Sequence, residues 1–324
     1  MSITRLRAFH LAVAALMLAT QFEPANAQAF PSKPIRLVVP YSAGGGSDIV
    51  GRALAQAVGD QLGQSMVVDN KPGGSATIGS SLVAKARPDG YTLLLADSPH
   101  AINAAVFPSL PYRTLEDFTP IGNVGQMPLA LVVNPKLPAK NFQEFVAEAK
   151  AKPLNLGSGG NGTLTHLVGE LMKERAGISL AHIPFKGTGQ AIADLMAGHI
   201  ESMVSTTPGI VGPVHSGALR AIAVTGNTRS ASLPDTPTFA EAGLPGFVEY
   251  TWYAVLGPAG MPADVVAKLN EAIAAALATP ELRKRLRDVA VDARPSSPAD
   301  LGRAIGTDVQ RWTAFVKEHK VSME

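Results

Sequence analysis

The chain has 324 residues, of which 46% are apolar, and a formal net charge of +2. A charge so close to neutral provides no basic surface for nucleic acid. Because the chain has no Cys, disulfides and thiolate metal sites are excluded, and its length is sufficient for two domains that rely on buried cores.

The first 27 residues have the features of a secretory signal peptide. Arg5 and Arg7 precede an apolar run over residues 11–20, and a polar stretch then ends in Ala25-Asn26-Ala27, an A-x-A cleavage site. The apolar run is about half the roughly 20 residues that a membrane-spanning helix needs. The sequence therefore predicts an exported periplasmic protein that is cleaved after Ala27 and carries no lipid anchor.

Strand-like and helix-like patterns alternate along the rest of the chain, which is typical of βαβ units and a largely parallel sheet. In the first part, strands are predicted at 35–39, 66–68 and 91–95, and helices at 48–62 and 76–86. The alternation restarts with strands at 129–133, 154–156, 180–183, 202–204 and 219–224, and helices at 142–151, 164–175 and 191–197.

A turn-rich connector at 227–246 leads to a strand at 250–256 and helices at 262–277, 281–287 and 298–320. We expect these last helices to pack on the first domain. The predicted organisation is a signal peptide (1–27), a first domain (28–126 plus 253–324) and a second domain (127–252). Two crossovers, near residues 127 and 252, allow a hinge.

Two glycine-rich loops, at 42–48 and 157–163, each lie between a predicted strand and a predicted helix. The unpaired N–H groups and the dipole of a helix N-terminus favour an anion. Either loop alone could equally be an ordinary tight turn, but their recurrence in both halves favours a clamp for a carboxylate. We expect Asp48 to cap its helix and to pair with Arg52 one turn later.

Motifs for catalysis are absent, since the chain has no G-x-S-x-G, no Cys nucleophile and no H-E-x-x-H. The first glycine loop follows neither G-x-x-x-x-G-K-[ST] nor G-x-G-x-x-G, so a nucleotide site is not expected there. We therefore expect no enzymatic activity, no cofactor and no metal, although an exported α/β hydrolase remains an alternative. His166 is either a helix-face residue or a donor behind the second loop, and His100 either reaches the cleft or starts a helix.

Several motifs, in the same order along the chain, resemble the Bug family, the extracytoplasmic receptors of tripartite tricarboxylate transporters. The motifs are PYSAGGGSD at 40–48, NKPGG at 70–74, PDGYT at 88–92, HIPFKG at 182–187, LPDTPT at 233–238 and EAG at 241–243.

The resemblance implies an α/β, two-domain periplasmic-binding-protein fold of type II-like topology, in which each domain is a mainly parallel sheet flanked by helices and the ligand cleft lies between them. It also implies a monomer that binds a small organic carboxylate, a di- or tricarboxylate or an aromatic acid, through loop backbone and hydroxyl groups, partly through water. Its partners would be the membrane subunits of the transporter. A receptor that presents its ligand to a membrane signalling protein is the alternative.

Carried over position by position, the resemblance assigns the ligand to a set of loop residues. The set is Tyr41, Ser42, Ala43, Gly44, Gly45, Gly46, Ser47, Asp48, Ser98, Gly159, Gly160, Asn161, Gly162, Thr163, His166, Phe185, Lys186 and Gly187.

The chain departs from the family pattern at two places. Family members commonly read PGAGG where this chain has PGGSA at 72–76, so we expect the third loop to differ in shape. Many members also carry an acidic residue after a Met-Phe pair, where this chain has Met203-Val204-Ser205. Because a buried ammonium needs a charged partner, the sequence favours a plain dicarboxylate or an aromatic acid over an amino acid.

Overall fold

The structure is a computed structural model that describes residues 30–44, 46–185 and 187–319. The predicted signal peptide, Gly45 and Lys186 lie outside the described residues.

The strands alternate with helices through most of the described chain. The strands are β1 (Ile35–Val39), β2 (Met66–Asn70), β3 (Thr92–Asp97), β4 (Phe118–Val133), β5 (Asn155–Ser158), β6 (Ala181–Pro184), β7 (Ser202–Thr206), β8 (Arg220–Val224), β9 (Tyr250–Pro258) and β10 (Asp292–Ala293). The helices are α1 (Gly46–Leu62), α2 (Thr77–Ala84), α3 (Ser98–Val106), α4 (Phe142–Ala151), α5 (Leu164–Ala176), α6 (Thr188–Ala197), α7 (Thr207–His215), α8 (Ala263–Ala278), α9 (Pro280–Asp288) and α10 (Pro298–His319).

The strands form one continuous mixed sheet in the order β2-β1-β3-β9-β4-β7-β5-β6, with β8 and β10 also pairing with β4. The parallel pairs stand towards the two ends: β1 is parallel to β2 and β3, and β5 is parallel to β6 and β7. The long strands β4 and β9 run antiparallel to each other in the middle and join the two parallel groups.

The predicted crossovers fall on this antiparallel pair, where Met127 lies opposite Thr251. The first half of β4 pairs with β9, and its second half, from Leu129 to Val133, pairs with β7 and β8. The described residues from Lys33 onwards form one compact unit, so the division into two domains stays a prediction.

Side chains along the second half of β4 alternate between two apolar clusters. Leu129, Leu131 and Val133 belong to a cluster with the buried faces of α4 and α5, and Ala130 and Val132 belong to a second cluster with α6 and α7. The period of two places a core on both faces of the sheet, as expected for a strand covered by helices on both sides. A third cluster covers β1, β3 and β9 and includes α10.

Two helices outside the predicted second domain also contribute to its largest core. Ile102 and Val106 of α3, and Trp312 and Val316 of α10, belong to the same apolar cluster as α4 and α5. Helices α3 and α10 pack on each other, and α3 also contacts α5. The C-terminal helix therefore joins both parts of the chain rather than the first part alone.

The sequence prediction misses two helices and half of a long strand. The prediction lacks α3, α7 and the stretch 118–128 of β4, whose sequence FTPIGNVGQMP is rich in Pro and Gly. The register of β4 against β9 shifts between Pro120 and Gly122 and again between Asn123 and Gly125, and such irregularities are how a strand accommodates these residues. Within the described part of the chain, no helix has both the length and the apolarity to cross a membrane.

Candidate functional site

A cleft of about 730 Å³ lies at the carboxyl ends of parallel strands from both ends of the sheet, the usual position of ligand sites in α/β proteins. The loops that follow β1 and β2, together with α3, which directly follows β3, line one side, and the segments at the ends of β5 and β6 line the other. The described lining residues, all uncharged, are Tyr41, Gly73, Gly74, Ser75, Pro99, Asn103, Gly159, Gly160, Asn161, Gly162, Thr163, Pro184, Phe185 and Gly187.

About half of the sequence-predicted set lines the cleft. The predicted residues in the lining are Tyr41, Gly159, Gly160, Asn161, Gly162, Thr163, Phe185 and Gly187. The described members of the set outside the lining are Ser42, Ala43, Gly44, Gly46, Ser47, Asp48, Ser98 and His166. The lining residues that the sequence did not identify are Gly73, Gly74, Ser75, Pro99, Asn103 and Pro184.

Asp48 holds the first glycine loop in place through hydrogen bonds to its carboxylate. Helix α1 begins at Gly46, so Asp48 lies in the first turn and is not the cap that the sequence predicts; its pairing with Arg52 is confirmed at 2.9 Å. Oδ2 of Asp48 also accepts from the amide of Gly44 at 2.9 Å, and Oδ1 accepts from Asn70 Nδ2 at 3.0 Å. Burial raises the pKa of Asp48, but these hydrogen bonds outweigh burial and lower it. This carboxylate is thus occupied in holding the loop.

Tyr41 lines the cleft, and its hydroxyl is hydrogen-bonded to a buried acid. Its Oη donates to Oδ1 of Asp97 at 3.0 Å, and its carbonyl accepts from Asn70 Nδ2 at 3.0 Å. Burial raises the pKa of Asp97 to about 7, although the hydrogen bond from Tyr41 opposes that rise. Beside this pair, Tyr253 Oη lies 3.3 Å from Ser47 Oγ in the first turn of α1.

The second glycine loop satisfies most of its own amides in this conformation. Three of its amide groups donate to side chains that flank the loop. Gly159 donates to Thr165 Oγ1 (2.9 Å), Gly160 to Ser158 Oγ (3.1 Å) and Gly162 to His166 Nδ1 (3.1 Å). The sequence predicts these amides as free donors for an anion. A carboxylate that uses them has to exchange with these side-chain acceptors.

Thr163 and Gly160 set the shape of the second loop. Thr163 caps α5 by accepting from the amide of His166, and its hydroxyl donates to the carbonyl of Gly160 at 2.7 Å. Gly160 has φ +131°, and a Cβ at this position would lie 3.0 Å from the carbonyl oxygen of Phe185. Only glycine fits the bend without moving the facing wall of the cleft.

Two stacked histidines support the second loop. The rings of His166 and His182 are parallel with centroids 3.8 Å apart, and His182 Nε2 lies 2.6 Å from Ser158 Oγ. Burial and the neighbouring His166 lower the pKa of His182 to about 4, so its ring is neutral and is hydrogen-bonded to the Ser158 hydroxyl. Burial raises the pKa of Glu170, but hydrogen bonds from His166 and Lys173 outweigh it and bring the pKa to about 2. His166 thus donates to Glu170 from one ring nitrogen, and its other ring nitrogen, Nδ1, accepts from the Gly162 amide.

The third loop has an unusual backbone. Gly73, Gly74, Ser75 and Ala76 all have positive φ, which is strained at Ser75 (52°) and Ala76 (75°) because they carry a Cβ. Asn103 of α3 donates from Nδ2 to the carbonyl of Ser75 at 2.7 Å and holds the loop in place. The departure from the family pattern at 72–76 was the only sequence signal for these residues.

Clusters of three or more His, Asp or Glu side chains able to hold a metal ion do not occur among the described residues. The arrangement is that of a binding cleft with neutral hydrogen-bond groups and apolar walls.

The chain is similar to a family of known proteins and to several solved structures. Residues 50–321 match the family described as "Tripartite tricarboxylate transporter family receptor". The chain is 36% identical over 324 residues to protein BugT of Bordetella pertussis, and the match covers 98% of both chains. A solved R. palustris protein with adipate is 32% identical, with a TM-score of 0.84 and coverage of 90% of this chain and 99% of that one. MatC from Rhodopseudomonas palustris with bound malate is 32% identical, with a TM-score of 0.79 and coverage of 89% and 100%.

Proposed function

The chain belongs to the family of tripartite tricarboxylate transporter receptors, and on this basis we propose that it binds a small dicarboxylate or aromatic acid in its cleft and delivers it to membrane transporter subunits. The sequence-based resemblance to the Bug receptors and the α/β periplasmic-binding-protein fold are both confirmed. The family consists of periplasmic binding receptors, not enzymes, which also confirms the expected lack of catalysis.

The observation that carries the proposal is the neutral cleft between the second glycine-rich loop on one side and Tyr41, the third loop and α3 on the other. Tyr41, Ser75 and Asn103 on one side, and Asn161 and Thr163 on the other, supply hydroxyl and amide groups. Thr163 also marks the N-terminus of α5, where the helix dipole favours an anion. Such a site suits a carboxylate, whose charge is satisfied by several neutral donors together.

The walls of the cleft favour a ligand with an apolar centre. Pro99, Pro184 and Phe185 provide apolar surface between the polar loops. The related proteins named above hold adipate and malate, which are both dicarboxylates. At 203–205, Met203 and Ser205 are fully buried and provide no carboxylate for an ammonium group. We therefore favour a dicarboxylate or aromatic acid over an amino acid.

Calorimetry on the mature protein with malate, adipate, benzoate and aspartate tests the proposal. We expect saturable 1:1 binding of at least one of the first three acids and weaker binding of aspartate. No heat and no thermal stabilisation with any of these acids would overturn the proposed ligand class.

Two valine substitutions at positive-φ glycines distinguish a specific loss of ligand binding from the general effect of backbone strain on stability. Gly160→Val places a side chain against Phe185 and should abolish binding, whereas Gly177→Val lies at the far end of α5, where a Cβ meets no atom within 4 Å. Both should lose stability, but only the first should lose the ligand. Equal affinities in the two variants would contradict the assignment of the second glycine loop to the ligand.

The transport role has its own test, because a signalling receptor would use the same cleft. Deletion of the gene should abolish cellular uptake of the acid that binds in vitro, and a copy carrying Gly160→Val should fail to restore it. Unchanged uptake together with a lost transcriptional response to the acid would favour the signalling alternative.

A further inference from the structure

Tyr41 is a cleft-lining residue whose hydroxyl is hydrogen-bonded to a buried acid. Its Oη lies 3.0 Å from Oδ1 of Asp97, at the end of β3. Asp97 is only 8% exposed and is not among the described residues that line the cleft. Its connection to the cleft is the hydrogen bond that it accepts from Tyr41.

The single proton of the phenol can serve only one acceptor at a time. Burial and the adjacent Asp97 carboxylate raise the pKa of Tyr41 well above its usual range, so the hydroxyl keeps its proton. When Asp97 is ionised, that proton points to Asp97 and the Tyr41 oxygen offers the cleft only lone pairs. A ligand carboxylate, which needs donors, is disfavoured in that state.

We propose that binding of a carboxylate in this cleft is coupled to the uptake of one proton by Asp97, which reverses its hydrogen bond with Tyr41. The protonated carboxyl then donates to Tyr41 Oη, and the phenol proton turns towards the ligand carboxylate. One proton moves from solvent to Asp97, and no other covalent bond changes. This inference rests on the proposed function, because it concerns how that same cleft receives a carboxylate.

The surroundings of Asp97 allow this change near neutral pH. Among the described residues, the titratable groups that interact electrostatically with Asp97 are tyrosines: Tyr41 from the loop after β1, Tyr253 from β9, and Tyr112 from the segment after α3. Within the described residues, no Lys, Arg or His forms an ion pair with Asp97, and Lys186 lies outside them. Burial without a cation raises the pKa of Asp97 to about 7, so little free energy separates its two forms at that pH.

Calorimetric titration of the mature protein with adipate and with malate, between pH 6 and pH 9, tests the coupling. Both probes remain fully ionised above pH 7, so a pH dependence there comes from the protein. In wild type, affinity should fall by up to about tenfold per pH unit above pH 7. At pH 8, the binding heat should differ between phosphate and Tris buffers by the amount expected for uptake of nearly one proton.

Three variants identify the group that takes up the proton. Asp97→Asn provides a permanent donor to Tyr41, so binding should persist with less than about a twofold change from pH 6 to pH 9 and no buffer dependence. Tyr41→Phe should lose affinity and the coupling together. Glu249→Gln removes another buried acid whose pKa is raised by burial, and it should keep the wild-type coupling.

The outcomes separate this inference from the proposed function. Wild type that binds either acid without proton uptake overturns the coupling and leaves the receptor function intact, as does an Asp97→Asn variant with the wild-type pH profile. If neither these probes nor the wider panel of acids bind at all, the receptor proposal falls and the coupling falls with it.

Discussion

Replacing Asp97 by Asn should change how the stability of the ligand-free protein depends on pH. Burial raises the pKa of Asp97 from 3.8 to about 7 in the folded chain. Between these values the folded state binds a proton that the unfolded state does not, so stability is full below about pH 4 and is lost as pH rises to 7. At about 1.4 kcal/mol per pKa unit, the loss is about 4 kcal/mol in all, of which about 2 kcal/mol occurs between pH 5 and pH 7.

Urea unfolding of wild type and of Asp97→Asn at several pH values measures this directly. The amide stays neutral and can still accept from Tyr41, so the difference in unfolding free energy between the two proteins isolates the ionisation of Asp97. Tyr41→Phe removes the hydrogen bond that lowers the pKa of Asp97, and its loss of stability should extend to higher pH. A wild-type-to-variant difference that stays constant from pH 5 to pH 8 would refute the argument.

Three further substitutions test the supports of the cleft and core, each by urea unfolding. Asp48→Ala should cost about 3 kcal/mol, since Gly44 and Asn70 lose a buried acceptor; a cost below about 1 kcal/mol would contradict its anchoring role. Ala76→Gly should add about 1 kcal/mol by relieving the strain at φ 75°, and destabilisation would show that the loop is not strained. Trp312→Ala should cost about 3–5 kcal/mol because this ring is 2% exposed, and a surface-like change would exclude it from the core.

Local patterns were sufficient where an element depends on its own residues. The strand at 35–39 and the helix at 142–151 have the predicted bounds, because an apolar run and a 3.6-residue period are visible in the sequence. The stretch 118–128 has no such pattern. It is a strand because β9 pairs with it from about 130 residues away, and no short window of sequence contains that information.

The candidate site shows the same division between local and distant information. The glycines pointed to the second loop, where glycine is required at Gly160 because φ is positive and the facing wall is close. The described residues of the first loop lie outside the cleft lining, which contains only its neighbour Tyr41. The residues that line the cleft from the third loop and α3, such as Ser75 and Asn103, carry no motif of their own. They reach the cleft because β2 and β3 end at the same edge of the sheet as β1, which requires knowledge of the strand order.

The second loop also shows why an inference from glycines alone overestimates the number of free backbone N–H donors. The sequence shows that the backbone can bend, but not that Ser158, Thr165 and His166 turn back to accept its amides. A folded chain avoids leaving buried N–H groups unpaired, so an empty anion site is satisfied by nearby side chains. Binding then exchanges one set of hydrogen bonds for another, and its net free energy is the difference between them.

The position of the C-terminal helix limits how the predicted hinge can move. Separation of residues 127–252 from the rest would expose Trp312 and Val316 of α10 and Ile102 and Val106 of α3, which share a core with α4 and α5. Burial of each such side chain contributes about 1.5–3 kcal/mol, so a motion that exposes all of them costs more than a weak ligand returns. A hinge that bends β4 and β9 while α3 and α10 stay packed avoids this cost. The cleft would then open on the side of the glycine loops, around the apolar cluster as its pivot.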